Sequence, residues 1–302
     1  MKELLFVYNP VSGKGKIKNQ LDGILSVFKD AGFDACVYRT SKRLDATEKI
    51  AKCAKNFELV VCAGGDGTLS ETVNGMMHSE VKVPIGFIPV GSSNDTSTSY
   101  NIPKNVLKAA EVSVKGTPFL TDVGKFNDKY FAYVASPGSL AAVSCFTPQT
   151  LKNIFGHSAY VAEAIKQLLK MDSYDMEVSF DDVKINGRFF LGMITNALSV
   201  GGFEGITGGD VNLSDGLFEA AMLKKPSNII DFGRQVDAML INPKSKNNVA
   251  ENMVIKFKSS HMEFSSDKKV QWVIDGEDAG KHNKATIDVC PGALEIMSSV
   301  KN

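Results

Sequence analysis

The stretch Leu59-Val60-Val61-Cys62-Ala63-Gly64-Gly65-Asp66-Gly67-Thr68-Leu69-Ser70-Glu71 places a short apolar run directly before a glycine-rich turn. The run Leu59–Ala63 predicts a strand that is buried on both faces. Thr68–Met77 continues with helical spacing, so the glycines lie between a strand and a helix. Glycines let the backbone turn tightly there, and the first helical turn presents free N–H groups. The stretch predicts a phosphate-binding turn, although a turn in which Asp66 only caps the helix has the same pattern.

Short apolar runs alternate with segments of helical spacing over the first part of the chain. Strands are predicted over Leu4–Tyr8, Ala35–Arg39, Leu59–Ala63 and Ile85–Val90, and helices near Ile17–Phe28, Ala46–Ala54, Thr68–Met77 and Asn105–Val114. This alternation is typical of an α/β domain built on a parallel-rich sheet.

From Phe119 onward, strand follows strand. Strands are predicted over Phe119–Phe126, Tyr130–Ser136, Met176–Phe180, Phe189–Ala197, Leu217–Leu223, Met253–Lys258, Val270–Ile274 and Ala285–Val289, with helices near Leu151–Met171 and Ile229–Leu240. Such a run predicts a mainly antiparallel β-sandwich. Because 302 residues exceed what one core usually organises, we expect an α/β domain over 1–118 and a β-sandwich domain over 119–291. Residues 292–302 are a candidate final strand of the first domain.

Two further polar loops follow predicted strands. Asn9-Pro10-Val11-Ser12-Gly13-Lys14 follows the first strand, and Gly91-Ser92-Ser93-Asn94-Asp95 follows the fourth. Their amide and hydroxyl groups donate hydrogen bonds, and Lys14 adds a positive charge that suits a phosphate. The carboxyl ends of parallel strands meet at the edge where open sheets bind ligands. Three such loops at one edge favour nucleotide binding over three unrelated turns. Asp66 beside bound phosphates would imply a magnesium ion between them.

Two acidic segments lie in the second half. In Trp272-Val273-Ile274-Asp275-Gly276-Glu277, an apolar strand leads carboxylates into a glycine turn. A carboxylate there could accept the proton of an acceptor hydroxyl across a cleft, whereas an exposed Asp-Gly hairpin gives the same pattern. Likewise, Asn212-Leu213-Ser214-Asp215-Gly216-Leu217 is either a cation-binding loop or a turn before a strand.

The composition excludes several classes of protein. Lys and Arg number 34 and Asp and Glu also number 34, so no excess of positive charge is available to hold nucleic acid. The longest mostly apolar stretch, Phe189–Val200, is too short to span a bilayer, and no transmembrane segment is expected. The 5 cysteines show no paired spacing, which indicates reduced thiols in a cytoplasmic protein.

Four segments resemble one family, in order along the chain. They are NPVSGKGK at 9–16, GGDGTLSETVNG at 64–75, PIGFIPVGSSND at 84–95 and IDGE at 274–277. They are similar to the nucleotide and catalytic loops of the diacylglycerol kinase catalytic superfamily, which also includes sphingosine and ceramide kinases. The resemblance covers nearly the whole chain and is strongest to soluble bacterial diacylglycerol kinases. It implies two domains with an NAD-kinase/diacylglycerol-kinase-like fold, and an active site for ATP and Mg²⁺ in the cleft between them.

The resemblance also implies roles for individual residues. The implied ATP contacts are Asn9, Pro10, Val11, Ser12, Gly13, Lys14, Thr40, Gly65, Asp66, Gly67, Thr68, Leu69, Ser70, Glu71, Ser92, Asn94 and Asp95. The implied catalytic residues are Asp275 as general base, Asp66 and Glu277. Asp66 would belong to a magnesium and water network with Asp95 and Asp122, and Asn212, Asp215 and Leu217 would hold a structural magnesium ion.

The chain departs from the family at three places. Thr96-Ser97-Thr98 replaces the aromatic residue and arginine of the third loop, and Ser214 replaces one aspartate of the metal loop. Glu163 stands where the soluble bacterial enzymes carry a functional lysine, three residues after Tyr160. A reversed charge in a phosphate-binding cleft opposes catalysis unless Lys166 or Lys152 takes the place of that lysine.

We therefore expect an ATP- and Mg²⁺-dependent kinase that phosphorylates a diacylglycerol-like lipid, acting from the cytoplasm as a peripheral protein at the membrane surface. Basic candidates for the membrane contact are Lys42, Arg43, Lys244, Lys246, Lys268 and Lys269. Two alternatives stay open: an NAD-kinase-like phosphotransferase with a soluble acceptor, and a nucleotide-binding regulator with feeble catalysis. The sequence also leaves open whether the protein forms a homodimer.

Overall fold

The first half of the chain forms a parallel sheet with helices between its strands. The structure, a computed structural model, describes residues 1–91, 94–138, 171–200, 203–204, 211–236 and 253–299. The four predicted strands are present as β1 (Lys2–Tyr8), β2 (Phe33–Arg39), β3 (Leu59–Gly64) and β4 (Ile85–Pro89). β1 pairs in parallel with β2 and β3, and β3 pairs in parallel with β4. Every residue of β3 is buried, as expected for a central strand of a covered parallel sheet.

The helices of this half are α1 (Leu21–Asp30), α2 (Asp45–Cys53), α3 (Asp66–Met77), α4 (Asp95–Ser99) and α5 (Val106–Lys115). The prediction of one regular helix near Ile17–Phe28 is wrong at its start, where Ser12–Gln20 is a 3₁₀ segment. Gly13 and Gly15, which precede Ile17 in this segment, adopt positive φ, so an α-helix cannot begin before Lys16. The short α4 was not predicted, because its sequence has no apolar spacing.

The second half is mostly strand. Its elements are β5 (Thr117–Phe126), β6 (Lys129–Phe131), β7 (Val134–Pro137), β8 (Tyr174–Phe180), β9 (Val183–Thr195), β10 (Ser199–Val200), β11 (Phe203–Glu204), β12 (Phe218–Lys224), α6 (Ile229–Val236), β13 (Val254–Ser259), β14 (His261–Ile274) and β15 (Glu277–Ser298). The predicted helix near Leu151–Met171 lies almost entirely outside the described residues, as does the end of the helix predicted over Ile229–Leu240. None of the helices in the described ranges is long and apolar enough to cross a bilayer.

The strands of this half pair antiparallel. β14 pairs with β7, β8 and β15, β9 pairs with β7, β8 and β12, and β12 pairs with β13. Strands β7, β8, β9 and β14 therefore form a closed circuit of pairings. The prediction of a single strand over Tyr130–Ser136 is wrong, because β6 ends at Phe131 and β7 begins at Val134.

The last strand, β15, links the two halves into one hydrogen-bonded sheet. It pairs antiparallel with β14 and β5 over most of its length, and Ile296 pairs in parallel with Ile85 of β4. The apolar run Leu294–Met297 packs into the core of the first half. The chain thus returns to its first sheet only at its end.

Two apolar clusters lie on either side of this link. One contains buried residues from the strands and helices of residues 4–110 together with Val123, Leu213, Leu294, Ile296 and Met297. The other is built around Trp272 and the rings of the antiparallel strands. The predicted division near residue 118 stays a prediction, and the two clusters support it.

A substitution at Gly124 tests the packing between β5 and β6. A Cβ atom built on Gly124 would overlap the ring of Phe131, which is fully buried and packs edge-on against Phe218. We expect Gly124→Ala to lower the free energy of unfolding by about 1–3 kcal/mol because the ring has no room to move. Urea denaturation measures this change.

The control is Gly67→Ala, where no heavy atom lies within 4 Å of the added Cβ. Since Gly67 is helical, this variant should be unchanged or more stable by up to about 1 kcal/mol. Equal unfolding free energies for the two variants would contradict the packing described for Phe131.

Candidate active site

A cavity of about 710 Å³ opens at the carboxyl ends of the parallel strands. Residues that follow β1, β2 and β3 line it, together with the β14–β15 hairpin. The predicted nucleotide residues that line it are Asn9, Pro10, Val11, Ser12, Thr40, Gly65, Gly67, Thr68, Ser70 and Glu71. Glu277 lines the opposite wall. The structure therefore brings most of these residues around one space.

The three polar loops contact one another, as the spacing of the strands predicts. The backbone N–H of Asn9 donates to the carbonyl of Ala63 at 3.0 Å, and that of Val90 donates to the carbonyl of Gly64 at 2.8 Å. A Cβ on Gly91 would lie 2.7 Å from the Cα of Gly65. Glycine is required at Gly91 because the turn after β3 and the loop after β4 approach so closely.

Several predicted residues stand behind the cavity wall. Gly13, with φ 58°, packs against the Val90 carbonyl, and Leu69 is buried in the core. Asn94 donates from its amide to the Gly91 carbonyl at 2.8 Å and so holds the third loop. Ser92 and the side chain of Lys14 lie outside what the structure describes.

Thr40 and Glu71 fix the wall that is formed by the residues after β2. Thr40 donates its backbone N–H and its hydroxyl to the carbonyl of Tyr8. The Glu71 carboxylate accepts from the amides of Leu44 and Ala46, at 2.9 and 3.2 Å, at the start of α2. Burial raises the pKa of Glu71, and these two amides oppose the rise. Both Glu71 oxygens are thus used to cap α2 and hold its loop at the cavity.

Asp66 is the first residue of α3 and lies beside the glycine turn. Its Oδ1 atom accepts from the amide of Thr96 at 3.3 Å, which ties the turn to α4. Asp66 does not itself line the cavity, but its neighbours Gly65 and Gly67 do. A partly exposed carboxylate at this position fits Mg²⁺, which binds through one or two carboxylates and keeps water and phosphate oxygens as its other ligands. Among the described residues, no group of three or more His, Cys, Asp or Glu side chains is arranged to hold a metal ion.

Asp275 lies in the two-residue turn between β14 and β15. Asp275 and Gly276 both have positive φ, at 48° and 82°, which is the geometry that favours Asp-Gly in a tight hairpin. The hairpin suggested by the sequence is therefore present. Its aspartate nevertheless points into the protein, because its carboxylate accepts four hydrogen bonds.

The four donors to Asp275 come from two other parts of the chain. Oδ2 accepts from the Ser70 hydroxyl at 2.5 Å and from the amide of Ala132 at 2.9 Å. Oδ1 accepts from the amides of Tyr133 and Val134, each at 3.0 Å. The break between β6 and β7 thus turns backbone N–H groups toward the carboxylate. Burial raises the pKa of Asp275, and the four hydrogen bonds oppose that rise.

A second buried carboxylate, Asp95, connects to the same segment. Its Oδ2 accepts from the Tyr133 hydroxyl at 3.0 Å, and its Oδ1 accepts from the Ser199 hydroxyl at 2.9 Å. Tyr133 therefore bonds Asp95 through its side chain and Asp275 through its backbone. These contacts place Asp95 between the third loop and the antiparallel strands.

Glu277 and Arg43 meet at the mouth of the cavity. Arg43 Nη2 lies 2.8 Å from Glu277 Oε2, with the two side chains 64% and 55% exposed. An ion pair so exposed adds little stability. It nevertheless joins the loop before α2 to the β14–β15 hairpin, and it engages Arg43, which the sequence offered as a membrane contact.

Neither Asp122 nor Asp66 lines the cavity, and Asp122 has a structural environment of its own. Its carboxylate is buried, and it accepts from the amides of Gly216 and Gly292, each at 2.7 Å. Both oxygens thus brace the loop around Asp215 and the strand β15. The expectation that Asp122 shares a magnesium network with Asp66 does not fit this arrangement.

The predicted metal loop forms local turns. The Asn212 side chain accepts from the amide of Ser214 at 3.1 Å, and the Asp215 carboxylate accepts from the amide of Leu217 at 3.0 Å. Asn212 and Asp215 are exposed. This geometry matches the turn that the sequence left open as the alternative, and the metal assignment stays a prediction.

Sequence reasoning missed several residues of the site, and four of them bear on its contacts. Asn74, Lys129 and Tyr130 line the cavity, and Tyr133 connects the two buried aspartates. Asn74 lies one helical turn after Ser70 in α3, so its spacing could have revealed it. The other three lie around the β6–β7 break, for which the sequence carries no local signal. Tyr160 and Glu163 lie outside the described residues.

The chain is similar in sequence to known proteins of one family. The family model of the diacylglycerol kinase catalytic domain matches residues 3–126. A diacylglycerol kinase of Bacillus subtilis (strain 168) is 33% identical over 282 residues, covering 93% of this chain and 91% of that protein. One of Staphylococcus aureus (strain MRSA252) is 34% identical over 284 residues, covering 93% and 87%.

The fold also matches a solved structure. The crystal structure of a diacylglycerol kinase from Bacillus anthracis strain Sterne superposes with a TM-score of 0.77 and covers 98% of this chain and 97% of that one. Because the two sequences are 21% identical, this likeness concerns the fold alone.

Asp122→Ala tests whether this carboxylate is structural. The change leaves two buried backbone N–H groups without acceptors, so we expect the free energy of unfolding to fall by about 2–5 kcal/mol. The loss should be the same in EDTA and in excess Mg²⁺, as measured by denaturant titration. Asp128→Ala, at an exposed turn of the same hairpin, should change stability by less than about 0.5 kcal/mol. A loss that appears only in the presence of Mg²⁺ would instead make Asp122 a metal ligand.

Proposed function

Because the chain belongs to the diacylglycerol kinase family, whose members are phosphotransferases that act on an alcohol group, we propose that it transfers the γ-phosphoryl group of ATP to the hydroxyl of a diacylglycerol-like lipid. One observation carries the proposal. The glycine-rich turn before α3 and the Asp275 hairpin meet at one cavity and are hydrogen-bonded to each other through Ser70.

The nucleotide end of the cavity suits a triphosphate. The first turn of α3 contains the N–H group of Gly67, and the helix dipole favours negative charge there. The N–H of Thr68 donates instead to the Gly65 carbonyl at 2.9 Å and so holds the turn. The loop after β1 adds Asn9 and Ser12. Fixed donors of this kind hold the phosphates without reorganising during the reaction, and this is how a protein supports a phosphoryl transfer.

The divalent ion that accompanies ATP would be held by Asp66. When bound, Mg²⁺ neutralises part of the negative charge that develops on the transferring phosphoryl group. Asp95 and Asp122 are less suited to this task because both carboxylates are buried, whereas Asp66 is partly exposed.

The acceptor end is formed by the Asp275 hairpin and the residues around Tyr130. An ionised Asp275 would draw the proton from the acceptor hydroxyl while the hydroxyl oxygen attacks the γ-phosphorus. Closure of the wall at Arg43 and Glu277 would exclude water, which would otherwise compete as acceptor.

Contact with a membrane surface is part of this proposal, since the acceptor is a lipid. Among the basic candidates, Lys42 and Arg43 pair with Glu48 and Glu277, and Lys244 and Lys246 lie outside the described residues. Lys268 and Lys269 are exposed on β14, which makes them the preferred candidates for contact with anionic headgroups.

A transfer assay tests the function. The protein is incubated with labelled ATP, Mg²⁺ and mixed micelles that contain diacylglycerol, a sphingoid base or a polyprenol, with NAD as a soluble acceptor. We expect label in phosphorylated diacylglycerol. Label in NAD alone would assign the soluble-acceptor alternative, and ATP binding without product on any acceptor would assign the regulatory one.

Asp275→Asn tests the proton acceptor. We expect kcat to fall by about 100-fold or more, because an amide cannot take up the proton, while the Kd for ATP stays within about 2-fold. Calorimetric ATP binding and the transfer assay measure the two quantities. The Asn amide would also face backbone N–H groups, so the Tm of the variant is measured alongside. Equal losses of ATP binding and kcat would contradict the role.

The pH dependence of the wild-type enzyme provides an independent test. Asp275 accepts a proton only when ionised, and its raised pKa keeps it protonated to a higher pH than an ordinary aspartate. We expect kcat/KM for the lipid to fall as the pH is lowered, with a midpoint above the ordinary aspartate value of about 3.9. The assay is run at saturating MgATP. A flat profile down to the pH at which the protein unfolds would rule out Asp275 as the base.

A further inference from the structure

The carboxylate of Asp275 has no acceptor site left for a substrate. An ionised carboxylate offers about four lone-pair positions. Ser70 and Ala132 occupy two on Oδ2, and Tyr133 and Val134 occupy two on Oδ1. An acceptor hydroxyl therefore cannot reach this carboxylate without displacing one of the four donors.

Three of these four donors are backbone N–H groups with fixed positions, whereas the fourth is a side-chain hydroxyl that can rotate. The N–H groups of Ala132, Tyr133 and Val134 belong to the backbone, and their positions are set by the strands on either side. The Ser70 hydroxyl can rotate about its own side chain and is both donor and acceptor. Any exchange of protons with Asp275 thus passes through the position of Ser70.

Ser70 is also the member of the pair that faces the cavity. It is among the lining residues, whereas the Asp275 carboxylate lies behind it and is bonded to it at 2.5 Å. Ser70 lies in α3, one turn after Gly67 and Thr68, which line the phosphate end of the same cavity. A hydroxyl seated beside a bound phosphate there meets Ser70 first.

We propose that the Ser70 hydroxyl relays the acceptor's proton to Asp275. This inference rests on the proposed function. The acceptor O–H passes its proton to Ser70 Oγ as Ser70 passes its own proton to Asp275 Oδ2. Ser70 ends unchanged and Asp275 ends protonated. The acceptor oxygen bonds to the γ-phosphorus, and the bond from that phosphorus to the bridging oxygen breaks, releasing ADP.

Direct proton transfer to Asp275 is the competing route. It would require the Ser70 hydroxyl to rotate away and break a short hydrogen bond to a charged group, which is among the stronger kinds of hydrogen bond. The relay keeps that bond in place throughout. It also keeps the buried carboxylate satisfied, since an unpaired buried charge is costly.

Substitution of Ser70 separates the two routes. If the relay operates, Ser70→Ala lowers kcat by about 10-fold or more while KM for ATP stays within about 2-fold, and Ser70→Thr, which retains the hydroxyl, keeps most of the wild-type kcat. Ser113→Ala is the matched control. It removes a buried serine hydroxyl that donates to the Ala109 carbonyl at 2.9 Å in α5, and Ser113 does not line the cavity. Its kcat should match the wild type.

A proton inventory on the wild type needs no variant and therefore guards against misfolding of Ser70→Ala. In mixtures of H₂O and D₂O, two protons moving in one step give a curved dependence of kcat on the deuterium fraction. We expect a curve for the wild type and a straight line for Ser70→Ala. Circular dichroism and Tm confirm that the variants are folded.

The outcomes separate the relay from the underlying function. A wild type that phosphorylates the lipid, with Ser70→Ala at wild-type kcat or above, overturns the relay and leaves the kinase intact. A straight-line dependence of kcat on the deuterium fraction in the active wild type also overturns the relay and leaves the kinase intact. A wild type that phosphorylates no acceptor removes the proposed function, and the relay falls with it.

Discussion

The half-buried carboxylate of Asp275, with its four hydrogen bonds, is the constraint on which the arrangement of the site depends. A charge placed inside a protein is tolerated only when hydrogen bonds replace its lost water. Here the replacements come from α3 and from the break between β6 and β7. Three segments that are distant in sequence are thus held against one another by one side chain. The position of the cavity wall follows from that requirement.

The strand β15 provides the frame around this contact. It begins directly after the Asp275-Gly276 turn, pairs with β14 and β5, and ends beside β4 of the parallel sheet. Because its final residues pack into the first apolar cluster, the hairpin cannot move far from the glycine turn without disturbing that cluster. Asp122 reinforces the same strand through its bond to the Gly292 amide. The return of β15 to the first sheet and the hydrogen bonds of Asp275 and Asp122 therefore stabilise the same part of the structure.

The contacts across the cavity differ in strength for a physical reason. The Ser70–Asp275 bond is short, joins a hydroxyl to a carboxylate and is partly buried, so water competes with it less than with an exposed pair. The Arg43–Glu277 pair is largely exposed and is screened by water and salt. The inner contact can therefore fix the geometry of the reacting groups, while the outer pair can open and close for a substrate at little cost. The function that we propose, with a nucleotide and a lipid in one cleft, would use both properties.

Local pattern alone determined the parallel strands, most of the helices and the glycine turn before α3, because burial of an apolar face imposes its period on the sequence. The Asp-Gly hairpin was also readable, since few other residue pairs adopt its positive φ angles. The bond between Ser70 and Asp275 was not readable, because it joins residues 205 positions apart. The same holds for the break at Ala132 and Tyr133 and for the two amides on Asp122. Such contacts depend on which backbone groups folding leaves unpaired beside a carboxylate, and only the tertiary structure decides that.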